Sequence, residues 1–153
     1  MSEMRLIMPA PQDWAKLEQV EEIEQAAFGV DGLSVFNISL FARGDSLYCV
    51  SIDGRIVAEA IVLYALPSEK LDAVLFSLAV HPDFSRRGCA TFLLNKVVEI
   101  LKDKGFASLS LTMNPENVAL KELYIRKFGF EKKADLGSHP VKKETRHLVV
   151  KQL

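Results

Sequence analysis

One stretch of the chain, from Val74 to Gly105, limits the possible folds more than any other. Residues 74–80 are apolar and β-rich and end at His81-Pro82, which predicts a buried strand. Residues 91–104 predict an amphipathic helix, and Gly105 after Lys102 and Lys104 is a typical helix end. The apolar face of this helix is formed by Phe92, Leu93, Val97, Ile100 and Leu101. The stretch therefore predicts a strand, a turn and a helix in succession.

The turn between this strand and this helix combines positive charge with small residues. Its sequence is Arg86, Arg87, Gly88, Cys89 and Ala90. The first N–H groups of a helix have no partner within it, so such a turn is a ready site for an anion. Gly88 and Ala90 lack bulk, which lets a phosphate approach the main chain closely. The turn lacks the Gly-Lys-Ser/Thr ending of a P-loop and the G-x-G-x-x-G fingerprint of dinucleotide sites, which argues against both.

The composition narrows the class of protein. With 153 residues, 49% of them apolar and 25% charged, the chain is predicted to form a single domain over residues 1–153. A formal net charge of −1 argues against nucleic acid and acidic membranes as general partners. Cys49 and Cys89 form no C-x-x-C motif, which argues against a zinc site and a disulfide framework. With no signal peptide and no long apolar run, we expect a cytoplasmic protein without a membrane span.

The remaining patterns predict a sheet flanked by helices. Asp13 can cap a first helix, Asp53-Gly54 is a strong signal for a hairpin turn, and Pro67-Ser68 predicts a loop. The predicted strands are 5–8, 47–52, 55–64, 74–80, 107–113, one from 130 onward, and 145–151. The predicted helices follow Asp13, span 35–42 and 91–104, and run from Pro115 near N1 to about Phe128. The fold class is therefore α/β (α+β), a central mixed sheet of about seven strands flanked by about four helices.

The turn and its flanks resemble a known family. The run from Ser85 to Ala90 resembles the Q/R-x-x-G-x-G/A pyrophosphate signature of the GNAT (Gcn5-related) superfamily of acyl-CoA-dependent N-acyltransferases. The surrounding run LAVHPDFSRRGCATFLL is similar to that family's motif throughout. One departure is Ser85, which stands where the pattern has Gln or Arg. The resemblance implies the GNAT fold, with acetyl-CoA as co-substrate and no metal.

A second stretch, Asn117 to Glu131, resembles the family's N-x-x-A-x-x-L-Y-x-x-x-G-F signature, and we expect it to match at every fixed position. On a helix, Asn117, Leu120 and Tyr124 would lie on one face. The resemblance implies that Asn117 contacts the pantetheine arm and that Tyr124 lies beside the thioester sulfur. A phenol, with a pKa of about 10, can protonate a comparably basic leaving thiolate. The full set of residues that the resemblance assigns to acetyl-CoA is Leu78, Ala79, Val80, Ser85, Arg86, Arg87, Gly88, Cys89, Ala90, Thr91, Asn117, Leu120 and Tyr124.

The general base is not assigned by these motifs. Ribosomal-protein-alanine acetyltransferases, which this chain loosely resembles, have a Glu on the strand before the Asn motif, and Thr112 stands at that position here. Thr112 cannot remove a proton from the attacking ammonium. Glu59, on the predicted third strand, is the leading alternative. Weaker candidates are Asp72, Glu116 and His139.

The resemblance implies an N-acetyltransferase that acts by direct attack of a primary amine on acetyl-CoA in a ternary complex. Acetyl-CoA would lie where the strands 74–80 and 107–113 splay apart, with the acceptor near residues 28–42 and 137–143. The acceptor is open between a peptide or protein amine and a small-molecule amine. The absent Glu at position 112 leaves a second reading, a catalytically quiet acyl-CoA sensor or interaction module. A homodimer is possible because homodimers are common in the family.

Overall fold

The computed structural model describes residues 2–64 and 71–153, so the predicted loop at Pro67-Ser68 lies outside the described residues. The strands are β1 Met4–Ile7, β2 Leu47–Ile52, β3 Arg55–Tyr64, β4 Asp72–Val80, β5 Ser108–Met113, β6 Glu131–Ser138 and β7 Thr145–Gln152. The helices are α1 Trp14–Phe28, α2 Val35–Arg43, α3 Cys89–Asp103 and α4 Val118–Leu120, which continues as a π-helix over Lys121–Lys127. Short 3₁₀ turns lie at Gly29–Asp31 and Pro82–Phe84.

The chain divides into two compact units. Unit 1 comprises Met1–Leu63 and Phe76–Ile100, and unit 2 comprises Tyr64–Leu75 and Leu101–Leu153. The strand order is β1-β2-β3-β4-β5-β7-β6 in a seven-stranded sheet. The sheet is mixed, because β4 and β5 are parallel, whereas the pairs β1–β2, β2–β3, β5–β7 and β6–β7 are antiparallel. The predicted fold class, a mixed sheet with four helices, is confirmed.

In unit 1, strand β2 pairs antiparallel with β1 on one side and with β3 on the other. The turn between β2 and β3 has positive φ at both central residues, 51° at Asp53 and 79° at Gly54, which is the backbone that an Asp-Gly hairpin turn requires. The Asp13 carboxylate caps α1 by accepting a hydrogen bond from the Lys16 N–H. The core between α1, α2 and the sheet contains Leu17, Val20, Ile23, Ile38, Ala42, Leu47, Cys49, Ile56, Ile61 and Ala79.

Unit 2 is built around β5. Residues Asp72–Val74 of β4 pair in parallel with Ser108–Ser110 of β5. Strand β7 pairs with β5 over six residue pairs and with β6 on its other side. The last strand ends at Gln152 and the predicted strand at residue 151, so this boundary was predicted to within one residue.

The start of the fourth helix was predicted wrongly. The helix begins at Val118 and not at Pro115, and Asn117 is its N-cap, with Oδ1 accepting a hydrogen bond of 3.1 Å from the Leu120 N–H. The Asn114 side chain explains why the helix starts three residues later than predicted. Its Oδ1 accepts a hydrogen bond of 3.0 Å from the Glu116 N–H and closes a local turn. Pro115 therefore lies in that turn and not in the first helical turn.

The expected match to the second signature at every fixed position is also wrong. Leu120 stands at the position of its Ala, and four residues separate Tyr124 from Gly129 where the signature has three. The backbone accommodates the extra residue as a π-helix, in which the Phe128 N–H donates to the Leu123 carbonyl five residues back, at 3.1 Å. The wider turn keeps Gly129, with φ of 72°, and Phe130 in place at the start of β6.

The core of unit 1 can be tested with Leu17→Ala. Leu17 has no exposed surface and packs between α1, α2 and the sheet, so truncation loses apolar burial and leaves a cavity. We expect the free energy of unfolding to fall by about 2–5 kcal/mol. Urea denaturation followed by circular dichroism measures this change. Val30→Ala, at a fully exposed side chain, is the control and should change the free energy of unfolding by less than about 0.5 kcal/mol.

Candidate active site

The basic turn of unit 1 leads directly into α3. Gly88 has φ of +80°, and a Cβ built there would meet no atom within 4 Å, so the main chain faces open space. Residues 85–88 are exposed, and Cys89 begins the helix. The Phe92 N–H donates to the Gly88 carbonyl at 2.9 Å, which leaves the N–H groups of the first helical turn without an intrahelical acceptor. The geometry is therefore that of a main-chain anion site.

The side chains of this turn are held by local contacts. The guanidinium carbon of Arg87 lies 4.9 Å from the centre of the Phe84 ring, and that of Arg55 lies 5.3 Å from it. Arg55 also lies within 3.2 Å of Nε2 of His81, whose Nδ1 accepts a hydrogen bond from the Asp83 N–H. The Ser85 hydroxyl donates to the Pro82 carbonyl at 3.0 Å. Arg87 is thus positioned by the aromatic ring, and Ser85 by its own turn.

Cys89 is a packed residue at the start of α3. Its side chain is buried, and its Sγ lies 3.8 Å from the Phe84 carbonyl oxygen. Burial raises the pKa of the Cys89 thiol, and this effect outweighs the lowering by the nearby charge of Arg87. A helix N-terminus can lower a thiol pKa, but in this protein the net effect is the opposite.

Strand β4 presents two different faces along its second half. Ser77 and Ala79 are buried, whereas Leu78 and Val80 are half-buried and Phe76 is half exposed. Leu78, Ala79 and Val80 therefore lie just before the basic turn, on a strand whose outer face is apolar and accessible.

The second motif lies in unit 2. Asn117 is exposed and caps α4, Leu120 is half-buried, and Tyr124 is buried in the π-helix. The Tyr124 ring packs edge-on against Phe130, with 5.6 Å between the ring centres. The Tyr124 carbonyl accepts from the Phe130 N–H at 2.9 Å, so the π-helix end fixes the position of the ring.

Glu59 lies in a cluster that the sequence did not predict. Its side chain is fully buried in unit 1, and its Oε1 lies 3.1 Å from the hydroxyl of Ser77. The same hydroxyl lies 2.7 Å from Oε2 of Glu24, a residue of α1 that is also buried. The other oxygen of Glu24 accepts from the Leu33 N–H at 3.1 Å. Two carboxyl groups therefore meet at a single serine.

Counting donors assigns the protons of this cluster. Ser77 has one hydroxyl proton, and its shorter contact is to Glu24. One hydroxyl proton cannot satisfy two carboxylates, so the buried pair is accommodated when one carboxyl carries a proton. Burial raises the pKa of Glu59 well above its usual range, and a hydrogen bond with the Glu24 carboxyl and the charge of that group raise it further, whereas the Ser77 hydroxyl lowers it. Glu59 is thus the neutral, protonated acid of the cluster.

The sequence does contain a signal for Glu24 and Ser77. Glu24 follows Leu17 and Val20 at helical spacing, so it is an acid on the buried face of α1. Ser77 alternates with Leu75 and Ala79 on the buried face of β4. Polar residues at positions that the period assigns to a core are the pattern that should have singled them out.

The weaker base candidates have other contacts or other positions. Oδ1 of Asp72 accepts from the Ser108 hydroxyl at 2.6 Å, and Nδ1 of His139 accepts from two main-chain N–H groups of its own loop. Glu116 is exposed. Thr112 is exposed, and its hydroxyl and carbonyl oxygens both accept from the Arg146 guanidinium, at 3.0 and 2.9 Å.

The described residues form neither a metal-binding cluster nor a membrane-spanning helix. No group of three or more His, Cys, Asp or Glu side chains in residues 2–64 and 71–153 is placed to hold a metal ion. Within the same ranges, no helix has the length and apolar character that crossing a membrane requires.

The protonation of Glu59 can be tested through the pH dependence of stability. Because its pKa is raised in the folded state, its stabilising contribution is complete below the ordinary glutamate pKa of about 4.3 and is lost as the pH rises through the folded value. Glu59→Gln lacks this loss, so the variant should gain stability relative to wild type between pH 5 and pH 8. Urea denaturation at several pH values measures the difference. If the free energy of unfolding changed with pH in the same way for both proteins, Glu59 would not be protonated in the folded state. Glu18→Gln, at an exposed residue of α1, is the control.

Comparisons with known proteins identify the family of the chain. The family model described as acetyltransferase (GNAT) family matches residues 11–130. A [ribosomal protein bS18]-alanine N-acetyltransferase of Salmonella typhimurium is 34% identical over 101 residues, which cover 66% of this chain and 59% of that protein. The match thus spans less than two thirds of the relative's length.

Two solved structures share the fold. The ribosomal-protein-S18-alanine N-acetyltransferase from Escherichia coli has a TM-score of 0.80 at 23% identity, covering 98% of this chain and 94% of that chain. A chain of the NatC complex bound to Gag peptide and CoA has a TM-score of 0.86 at 14% identity, covering 99% of both chains. From the family model and the fold, the chain belongs to the GNAT acetyltransferase family.

Proposed function

We propose that this protein transfers an acetyl group from acetyl-CoA to a primary amine. The observation that carries the proposal is the turn from Ser85 to Thr91, where open main chain meets the start of α3 within the matched region of the GNAT model. A CoA-bound chain is among the proteins that share the fold, which supports acetyl-CoA as the co-substrate. A cytoplasmic location and a single domain remain part of the proposal.

The turn would hold the pyrophosphate of acetyl-CoA through main-chain N–H groups. Gly88 and Ala90 permit the close approach, while Arg87, held against Phe84, adds positive charge. The exposed Arg86 can add a second cation. The main chain of Leu78–Val80 would pair with the pantetheine amides as an added strand does, and one of its N–H groups would stabilise the charge on the thioester oxygen. Asn117 and Leu120 would contact the pantetheine arm.

The proposed reaction is a direct transfer. The amine attacks the thioester carbon, the carbon–sulfur bond breaks, and the leaving thiolate takes a proton from the Tyr124 phenol. The phenolate regains a proton from the nitrogen as the amide forms. Cys89 is no covalent carrier in this scheme, because burial disfavours its thiolate. Before attack the incoming ammonium must lose a proton. Glu59, the leading base candidate from the sequence, is protonated and so contributes only as a member of the Glu24–Ser77–Glu59 cluster.

The acceptor is proposed to be a peptide or protein amine. The Salmonella relative is named for acetylating alanine on a ribosomal protein, and the NatC structure is titled as bound to a peptide. A small-molecule amine is the other acceptor class. Parallel assays of peptides and small amines separate the two, and size-exclusion chromatography with light scattering tests the proposed homodimer.

A catalytically quiet acyl-CoA sensor is the second candidate. The observation that favours it is Thr112, which is bound by Arg146 where related acetyltransferases are expected to have a carboxylate. Calorimetric binding of acetyl-CoA with no turnover across a broad panel of amines would select this candidate. Absence of binding at high micromolar acetyl-CoA would overturn both functions.

Gly88→Ala tests the pyrophosphate turn. The added methyl group occupies the open space beside the main chain and strains a residue with φ of +80°. We expect the Kd for acetyl-CoA to rise at least about tenfold, which corresponds to about 1.4 kcal/mol. Isothermal titration calorimetry measures the change.

Gly105→Ala is the matched control for this substitution. Gly105 has φ of +84° and open space for a Cβ, so its backbone strain is equal, but it lies beyond the other end of α3. Its Kd should stay within about twofold of wild type. Equal weakening by both substitutions would remove the turn from the proposed site.

Tyr124→Phe tests the proposed acid. The variant keeps the ring and its packing on Phe130 but cannot protonate the thiolate, so kcat should fall by about 10²–10⁴-fold. The Kd for acetyl-CoA should be nearly unchanged. Steady-state release of CoA, followed with a thiol reagent, measures turnover, and full turnover of the variant would exclude this role for Tyr124.

A further inference from the structure

A small pocket in unit 1 opens onto the buried acid cluster. It has a volume of about 160 Å³ and is lined by Glu24, Phe28, Asp31, Leu33, Phe76 and Ser77. The aromatic rings of Phe28 and Phe76 and the Leu33 side chain form apolar walls, while Glu24 and Ser77 supply polar groups. The described lining residues thus include two acids and no Lys or Arg.

The apolar walls continue outside this pocket. Phe76 packs against Phe41 with 5.6 Å between the ring centres and remains half exposed. Phe28 is 38% exposed at the end of α1, where its surface is available to a ligand. A ligand that fits must therefore combine positive charge with an apolar group.

From this arrangement we propose that the pocket binds the acceptor as an ammonium on an apolar first residue, and that Glu24 removes its proton with Ser77 and Glu59 as positioning residues. The inference rests on the proposed acetyltransferase function and adds the acceptor class and the base.

All protons of the attacking ammonium are accounted for in the proposed transfer. Glu24 takes one proton from R–NH₃⁺ and becomes a neutral acid, and the free amine attacks the thioester carbon. The nitrogen then gives up a second proton, the CoA thiolate gains one, and the amide keeps one. Glu24 returns its proton to solvent, so the net products are the acetylated amine, CoA thiol and one proton.

Ser77 and Glu59 act through their effect on the Glu24 carboxylate. The Ser77 hydroxyl at 2.7 Å and the Leu33 N–H at 3.1 Å both donate to it and orient its two oxygens. Glu59 keeps the Ser77 proton directed at Glu24 as long as Glu59 is itself protonated. An ionised Glu59 would compete for that proton and repel Glu24.

The charged and titratable groups around Glu24 come from several elements. Glu59 faces it from β3, Asp31 from the turn after α1, and Cys49 lies beyond Glu59 on β2. Burial raises the pKa of the Cys49 thiol well above its usual range, so Cys49 stays neutral and does not compete for the proton. The pH dependence of acceptor use is therefore expected to follow the carboxyl cluster.

The experiment compares Glu24→Gln, Ser77→Ala and Glu59→Gln with the exposed Glu18→Gln on the same helix. The probes are short peptides that differ only in the first residue, with Leu, Met, Gly or Asp at that position. Acetyl-CoA affinity is measured by calorimetry for each variant, and kcat/KM for each peptide is measured from pH 6 to pH 10. Urea denaturation verifies that each variant is folded.

Glu24→Gln should lower kcat/KM for the Leu peptide by at least about 10²-fold, without a change in acetyl-CoA affinity. The loss should diminish at high pH, where the peptide α-amine, with a pKa of about 8, is already deprotonated. Ser77→Ala removes a hydrogen bond to an ionised group, so the acid limb of its pH profile should move to higher pH. Glu59→Gln keeps a neutral side chain beside Ser77, so the acid limb of its pH profile should stay at the wild-type position, in contrast to Ser77→Ala.

Acceptor preference is the second readout. The wild type should use the Leu and Met peptides at least about tenfold better than the Asp peptide, because the pocket pairs apolar walls with acids. Equal use of all four peptides, or full kcat/KM in Glu24→Gln, would overturn the inference alone. A lower rate in Ser77→Ala without a shifted acid limb would do the same. Acetyl-CoA binding without turnover of any amine by the wild type would overturn the proposed function, and this inference with it.

Discussion

The alternation of side chains along β4 is the constraint on which the rest of the structure depends. Buried residues Ala73, Leu75, Ser77 and Ala79 alternate with more accessible ones. A shift of one residue would exchange the two sets, so burial of the apolar members fixes the register. The same register puts the Ser77 hydroxyl between two carboxyl groups and leads the chain from Val80 into the basic turn. Packing of the core and placement of the candidate site are therefore decided by one strand.

Burying two carboxyl groups side by side is costly unless at least one is neutral. In this protein the free-energy cost is reduced because Glu59 is protonated and because the Ser77 hydroxyl and the Leu33 N–H supply hydrogen bonds to the two carboxyl groups. One buried oxygen, Oε2 of Glu59, has no hydrogen-bond partner among the described residues. Natural proteins retain buried polar groups that lower stability mainly at functional sites. This cluster is therefore a reasonable place for the group that deprotonates the acceptor.

Much of the fold could be predicted from sequence, because apolar periodicity and turn chemistry are local signals. The Asp53-Gly54 hairpin and the strands on either side of it match the structure residue for residue. The fourth helix was less predictable, because the Asn114 side chain competes with the helix for main-chain donors and Asn117 takes over as cap. The turn before α3 was recognisable from its small and basic residues. The Glu24–Ser77–Glu59 cluster was not, because it joins residues of α1, β3 and β4 that only the tertiary structure brings together.

The π-helix has a consequence for how this chain can vary. An insertion in a loop merely lengthens it, but an insertion in a helix would ordinarily rotate everything that follows by about 100°. Here the surplus residue is absorbed within one widened turn, so the ladder between β6 and β7 keeps its partners. Relative to the family signature the segment has one residue more, and the mechanical effect of that residue ends a few residues downstream, at the start of β6.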